Sequence, residues 1–476
     1  MMQDLSKRFR SYRDISGGHP LYGKAACRTE SSLKLSEPTP GAGFYLYGFI
    51  PAIMGFAGWT LEEAVRSGKK RLYFLSRDGH QICLAARRLA ELRKLPVECR
   101  YLHVSRYAMR VPAYHLDMEH GLEQICSNGM EVTLERVLKR GALTEEEALR
   151  VAERIGRKEA YRDILDRRRI TELKDILRKE PQFLNYVKAH SMEAYDNTMG
   201  YLQQEGLLSD VPYAIVDSGW VGTFQQSLST LLRSRMPHIR LEGYYFGLYE
   251  IPDDADIRDY HAWYFSPRAG LRRKVYFSNS LFEAVCGADE GMTVGYCQEN
   301  GRYLPRLDPK GNPNGKVLRK EQKVLECFLE QYARAEEESA LTGSRRNLDR
   351  SGMKRSVNRL FTLLMAKPSM PEAVSFGGLL FSDDVLPGNY RETAARLTAE
   401  EIRDLYILRR LAVFSGMRKG TIRESAWIEG SIVRCGMHRR RVRKNLRHIR
   451  WYKWLVYGRK QLRAWTHIVR WERNDH

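Results

Sequence analysis

No stretch of this chain reaches the roughly 20 consecutive apolar residues that a membrane-spanning helix requires. The longest apolar run, residues 44–59, is interrupted by Gly48, Pro51, Gly55 and Gly58, and reads as core. Cysteine is sparse, with 8 residues scattered without paired spacing. Together with the lack of a recognisable N-terminal signal sequence, this predicts reduced thiols in a cytoplasmic protein. Cys435-x-x-His438 has no second pair at zinc spacing, so no structural metal is expected. There is no G-x-x-x-x-G-K-[ST] loop and no G-x-G-x-x-G after an apolar strand. That argues against an NTPase and a dinucleotide oxidoreductase. A G-x-S-x-G elbow is also missing, and no internal repeat of fixed period is found.

Acidic residues almost vanish at one end. Residues 434–476 hold 14 Lys and Arg against Glu472 and Asp475, a net charge of +12 out of +21 for the whole chain. The same segment holds Trp451, Trp454, Trp465 and Trp471, half of the 8 tryptophans. Trp451, Trp454, Leu455, Leu462, Trp465 and Val469 recur at three- and four-residue steps, which places them on one helical stripe with Arg and Lys between. That is the composition of a helix lying in the interface of an anionic membrane. A partner's groove is the other expectation. Nucleic acid and a basic face solvated by water are the lesser expectations, and bulky aromatics on one stripe, costly if left in water, weaken the solvated one.

The rest of the chain is globular in composition, 43% apolar and 11% aromatic, and its 476 residues predict two or three domains. Its most informative stretch is VPYAIVDSGWVGT, residues 211–223. Residues 213–216 are an unbroken run of strand formers, as in a strand buried on both faces. Asp217, Ser218, Gly219, Gly222 and Thr223 follow as a loop, and residues 224–232 read as a helix. Ligands of parallel α/β sheets bind beyond the carboxyl ends of strands, so this unit suits something hydroxylated or phosphorylated.

A second unit of the same grammar lies upstream at RLYFLSRDGHQICLAARRLA, residues 71–90. Its loop is Ser76-Arg77-Asp78-Gly79. Arg77 offers a fixed fork of donors to phosphate, and Gly79 permits a tight turn with free amides. A third strand is expected at residues 99–105, ending in Ser105-Arg106. Three such strand ends can converge on one crevice. There Arg77, Gly79, Arg106, Gly219, Gly222 and Thr223 would hold phosphate, and Asp217 the hydroxyls of the ligand. Asp78 would reach a divalent cation such as Mg²⁺ through water. Ser76, Ser105, Ser218, Trp220 and Glu283 are the expected substrate contacts, Trp220 by stacking or by packing under the loop. Asp217 and Asp78 are the candidate catalytic residues, whereas His80 and His103 are candidates by proximity alone.

The flanking regions are less distinct. Residues 1–43 are expected to form an arm without a core, 44–300 an α/β domain, and about 115–205 a helical insertion in it. A Pro/Gly/Asn cluster at residues 305–315 predicts a boundary to a helical region ending near 432, followed by the basic tail at 433–476. Thr60/Glu63, Thr144/Glu147 and Thr398/Glu401 predict capped helix starts.

FLSRDG, YLHVSRYA, VDSGWVGTFQQSL, GYYFGLY and LFEAV, spread in order over about residues 44–300, resemble a bacterial family, with a weaker echo in WIEGS at 427–431. In that family this domain follows an HAD-type hydrolase domain, in proteins associated with capsular or cell-wall polysaccharide biosynthesis. Hydrolase activity would be the expectation from the family label. HAD chemistry, however, uses a DxDx[TV] loop with a nucleophilic and an acid/base aspartate, and this chain has none. The order of strands and loops also resembles type I phosphoribosyltransferases. Residues 76–79 would then stand at the pyrophosphate loop, and 217–223 at the ribose-phosphate loop with Ser218 in place of a second acid.

The expectation is therefore an α/β protein with a mainly parallel, phosphoribosyltransferase-like sheet, a helical insertion, a helical C-terminal region and a basic amphipathic tail. It would bind a sugar phosphate or nucleotide-sugar and transfer a group at a sugar carbon. In the alternative it would be a non-catalytic, membrane-associated adaptor in a glycosyltransferase complex at the inner membrane face.

Overall fold

A computed structural model describes residues 2–35, 40–129, 131–253, 255–341, 350–414 and 422–474. Five strands form one all-parallel sheet: β1 (Arg71–Leu75), β2 (Glu98–Leu102), β3 (Tyr213–Trp220), β4 (Glu242–Leu248) and β5 (Tyr260–Phe265), in the order β2-β1-β3-β4-β5. This is a doubly wound order. The chain moves outward from β1 to β2, returns across β1, and moves outward again from β3 to β5. The winding reverses between β1 and β3, where a crevice opens at the carboxyl ends of the strands.

The strand sequences explain the two covered faces. Successive side chains alternate sides. Leu72, Phe74, Ala214 and Val216 join the largest core on one face, while Tyr73, Leu75, Tyr213 and Ile215 join a second core on the other. Helix Gly79–Leu92 packs its Ile82, Ala85, Ala86 and Leu89 into the first. Helix Thr223–Arg233 packs Leu228, Leu231 and Leu232 into the second. Because both faces are buried, the strands read as continuous apolar runs. The sequence pattern does not announce β5. Nor does it announce the antiparallel hairpin of β6 (Thr293–Glu299) with β7 (Arg302–Leu307), whose second strand runs into the start of the expected turn cluster.

The helical insertion is present as five helices between Met118 and Gln204. It has a core of its own, including Leu122, Val137, Leu138, Val151, Leu173 and Phe183. Two other expectations are corrected. Residues 2–32, expected as an arm without a core, form helices Met2–Ser16 and Pro20–Ser32. Tyr12, Tyr22, Ala25 and Ala26 are fully or almost fully buried in the main core, and Phe9 stacks on Phe44 at 4.7 Å. Polar composition hid a narrow apolar face. The region after residue 301 is likewise not a separate body: Val324, Leu325, Phe328, Val357, Phe361 and Trp427 complete that same core.

The helices Pro40–Gly48 and Ile50–Arg66 run through the middle of it. By length and mean hydropathy, though not by an unbroken apolar run, the segment Gly41–Arg66 could cross a membrane, and its most apolar window is 89% buried inside the protein. The expected cap at Thr60 falls mid-helix, where its hydroxyl donates to the Ala57 carbonyl instead. The capping boxes at Thr144/Glu147 and Thr398/Glu401 both form. All eight cysteines are free.

Candidate functional site

β1 ends at Leu75 and passes through Ser76, Arg77 and Asp78 into the helix that begins at Gly79; the peptide joining Ser76 to Arg77 is cis. β3 does not stop at Val216, as the sequence implies, but stays paired with β4 out to Trp220 opposite Leu248. Asp217 and Ser218 are therefore strand residues rather than loop residues. Gly222, at φ 71°, turns the chain into helix Thr223–Arg233. Ser105 caps the short helix Arg106–Arg110 beyond β2 by accepting from the Ala108 amide at 2.9 Å.

These ends surround one cavity of about 360 Å³. Ser76, Arg77, Asp78, Ser105, Arg106, Asp217, Ser218, Gly219, Trp220, Gly222, Thr223 and Glu283 all line it. Gly79 does not. A Cβ there would come within 3.1 Å of the Phe74 carbonyl carbon, so Gly79 lets the helix start press against β1. His80 and His103 also lie outside the lining.

The acids of the cavity are crowded. Ser218 Oγ donates to Asp78 Oδ2 at 2.8 Å, and the Ser218 amide donates to Asp217 Oδ1 at 2.9 Å. Trp220 Nε1 donates to Glu283 Oε1. Asp78, Asp217 and Glu283 are all half-buried in the cavity wall. Burial, followed by the neighbouring Asp78 charge, pushes Asp217 up to about 7 and Glu283 up to about 8. Asp78 is raised by burial, and Ser218, Arg77 and Arg106 oppose the rise. With Asp217 and Glu283 both raised, such a group keeps protons on its carboxyls near neutral pH.

Cations balance it. Arg77 and Arg106 stand at the strand ends within electrostatic reach of Asp78, and among the described residues neither is in an ion pair. The first turn of helix Thr223–Arg233 faces the same space through Gly222, Thr223 and Phe224. Unpaired guanidiniums beside a helix N-terminus are donors of the kind that anions seek. The two small hydroxyls are committed elsewhere: Ser76 Oγ donates to the Val104 carbonyl at 2.6 Å, and Ser105 Oγ to the Thr293 carbonyl at 2.6 Å. Trp220 packs among Phe277, Tyr249, Phe265 and Phe282, with ring centroids 5.3 to 6.4 Å apart, while it also lines the cavity. That packing holds its backbone at φ 82°, a left-handed conformation costly for a residue with a Cβ.

The far wall comes from a segment without a sequence signal of its own. β8 (Leu380–Phe381) pairs with β9 (Arg391–Glu392), and Phe381, Ser382, Asp383, Asp384 and Tyr390 from this hairpin line the cavity. Asp384 anchors it to the insertion, with Arg136 Nε at 2.6 Å and Arg140 Nε at 3.2 Å. FSDDVLPGNY shows only turn-forming residues, and nothing local marks it as a wall. Among the described residues no group of three or more His, Cys, Asp or Glu is placed to hold a metal ion.

Neither protein-family models nor curated protein sequences match this chain.

Proposed function

We propose that this cavity binds a phosphorylated sugar or nucleotide-sugar, with phosphate on Arg77, Arg106 and the Thr223 helix start, and sugar hydroxyls on Asp217. The observation that carries the reading is the pairing of unpaired guanidiniums with crowded, partly protonated carboxyls at the point where the winding reverses. Hydroxyls donate to carboxylates and anions attract guanidinium, so one ligand carrying both satisfies both sets. A Mg²⁺ ion would be held through Asp78 or Asp217 by water and by the ligand's own phosphate, which suits a site without a protein cage.

If the site turns over, the reaction is group transfer at a sugar carbon. An acceptor oxygen or nitrogen bonds to that carbon while its bond to phosphate breaks. The acceptor's proton passes to Asp217, and the leaving phosphate charge is met by Arg77 and Arg106. The phosphoribosyltransferase-like reading of the sheet, and a role in bacterial surface-polysaccharide synthesis, rest on the two sequence resemblances. Ser218 favours a second reading. Where a second acid would grip the sugar diol, a serine ties up Asp78, as suits a non-catalytic adaptor that senses a sugar phosphate for a glycosyltransferase complex. Hydrolysis of the HAD type has no support, because the cavity lacks a nucleophile and acid/base pair in DxDx[TV] spacing.

A thermal-shift screen with sugar phosphates, nucleotide-sugars and phosphoribosyl pyrophosphate, with and without Mg²⁺, tests the proposal. A ligand at about 100 times its dissociation constant stabilises the fold by about 2.7 kcal/mol. A shift lost in Asp217→Ala supports the site. Turnover of the hit with an acceptor separates transferase from adaptor.

A further inference from the structure

The chain ends in a single helix, Arg439–Asn474, of 36 residues. One side of it is docked on the body. Leu446 and Ile449 are buried, Lys453 pairs with Glu429 at 2.6 Å, Tyr457 stacks on Tyr249 at 5.1 Å, and Lys460 pairs with Glu250 at 2.6 Å. These positions recur every three or four residues and so share one face. A buried lysine of the body, Lys274, fastens the same helix by donating to Gln461 at 3.2 Å.

The other side is largely bare, although the Arg268 guanidinium of the body lies over the Trp465 ring at 5.4 Å. Trp451 is 55% exposed, Trp454 39%, Leu455 50%, Leu462 69% and Trp465 51%. At about 100° per residue Trp451, Leu455 and Leu462 fall roughly opposite the docked face, and Trp454 and Trp465 on its flank. They form the expected stripe; the side chains of Val469 and Trp471 lie outside those described. Arg443, Lys444 and Arg447 extend the stripe toward the helix start. All three are exposed, and among the described residues none is in an ion pair. Arg459 and Arg463 flank it. Large apolar side chains at this exposure are not core, and a solvated face would not need them.

We propose that this face of the C-terminal helix binds the surface of an anionic lipid bilayer. Charge complementarity decides the occupant. Three tryptophans and two leucines on one stripe, flanked by cations and without an acid, match the acyl boundary and headgroup layer of such a surface. Tryptophan also favours that depth, since its ring is apolar and its N–H needs a polar partner. A duplex nucleic acid would use the cations and leave the aromatic stripe in water. The proposal does not depend on what the cavity binds.

The test is co-sedimentation of the full-length protein with vesicles of phosphatidylcholine, alone or with about one third phosphatidylglycerol. Tryptophan quenching by brominated lipid is read in parallel. The expected result is binding to the anionic vesicles only, weakened by salt, with quenching. Trp451→Ser/Trp454→Ser/Leu462→Ser should lose at least tenfold in vesicle affinity and keep the wild-type melting temperature, because all three are exposed. Arg443→Glu/Lys444→Glu/Arg447→Glu should lose as much. Failure to bind anionic vesicles overturns the proposal. Binding without quenching, or binding unchanged in the tryptophan variant, does so too. So does tighter binding to duplex DNA that anionic vesicles fail to displace.

Discussion

Ser218 Oγ donates to Asp78 Oδ2 at 2.8 Å, joining the end of β3 to the loop that follows β1. These residues are 140 apart in sequence, and they meet because β1 and β3 are neighbours at the point where the winding reverses. The bond draws two acids, Asp78 and Asp217, into one half-buried group with Glu283.

That crowding has a pH signature. The folded protein holds a proton at Asp217 up to about pH 7, whereas an unfolded chain releases it near pH 4. The folded state thus binds more protons between those values, and stability falls as pH rises through them, by about 1.4 kcal/mol per pH unit for each proton. Asp217→Asn removes this slope. Its unfolding free energy relative to wild type should improve by at least about 1 kcal/mol between about pH 5 and about pH 8. Parallel pH profiles in urea unfolding would count against the assignment.

Two glycines of the site are needed for their backbones. At Gly219, φ is 106° and a Cβ would sit 2.4 Å from the Gly247 carbonyl oxygen; at Gly222, φ is 71° and a Cβ would sit 2.6 Å from the Tyr260 ring. Gly219→Ala should cost about 2 kcal/mol or more, and Gly222→Ala somewhat less, since a ring yields more readily than a strand. Chemical denaturation measures both. A neutral Gly219→Ala would mean that β3 and β4 do not approach as described.

The wall over the cavity hangs on Asp384. Its carboxyl is pushed up by burial, yet Arg140 and Arg136 hold it below the usual carboxylate range. Asp384→Ala leaves the buried Arg140 without its carboxylate and should cost about 3 kcal/mol. Protease cleavage within residues 382–390 should then become faster than in wild type. Equal cleavage rates would show that the hairpin is held by other contacts.

The N-terminal helices belong to the main core. Glu372, fully buried at its side chain, receives Arg8 and the Tyr12 hydroxyl. Glu372→Ala strands Arg8 and should destabilise by about 3 kcal/mol. Removal of residues 1–35 should give insoluble protein, because Phe44 loses Phe9 and Tyr12, and Phe328 loses Tyr22. A soluble, cooperatively melting truncation would contradict this.

What can be read in the sequence follows from how local each signal is. β1 and the start of β3 are unbroken apolar runs, and their acids and arginines fall beside them, so the crevice is legible from the residues alone. β5 is hidden because YHAWYF is short and follows directly on the charged stretch before it, and the continuation of β3 because Asp-Ser-Gly looks like a loop. The N-terminal helices are hidden because Phe9, Tyr12 and Tyr22 are few among charges. The wall at Asp384 is far from β3 along the chain, and no local pattern tells a partner at that distance from an ordinary turn.

The most direct test of the cavity's role is isothermal titration of phosphoribosyl pyrophosphate and a panel of sugar phosphates and nucleotide-sugars into the wild type and into Arg77→Ala/Arg106→Ala. The account expects at least one of these ligands to bind the wild type in a defined stoichiometry. It also expects the double variant to lose at least tenfold in affinity while melting like wild type. If none binds, or if binding survives loss of both guanidiniums, the cavity is not a site for phosphorylated sugars.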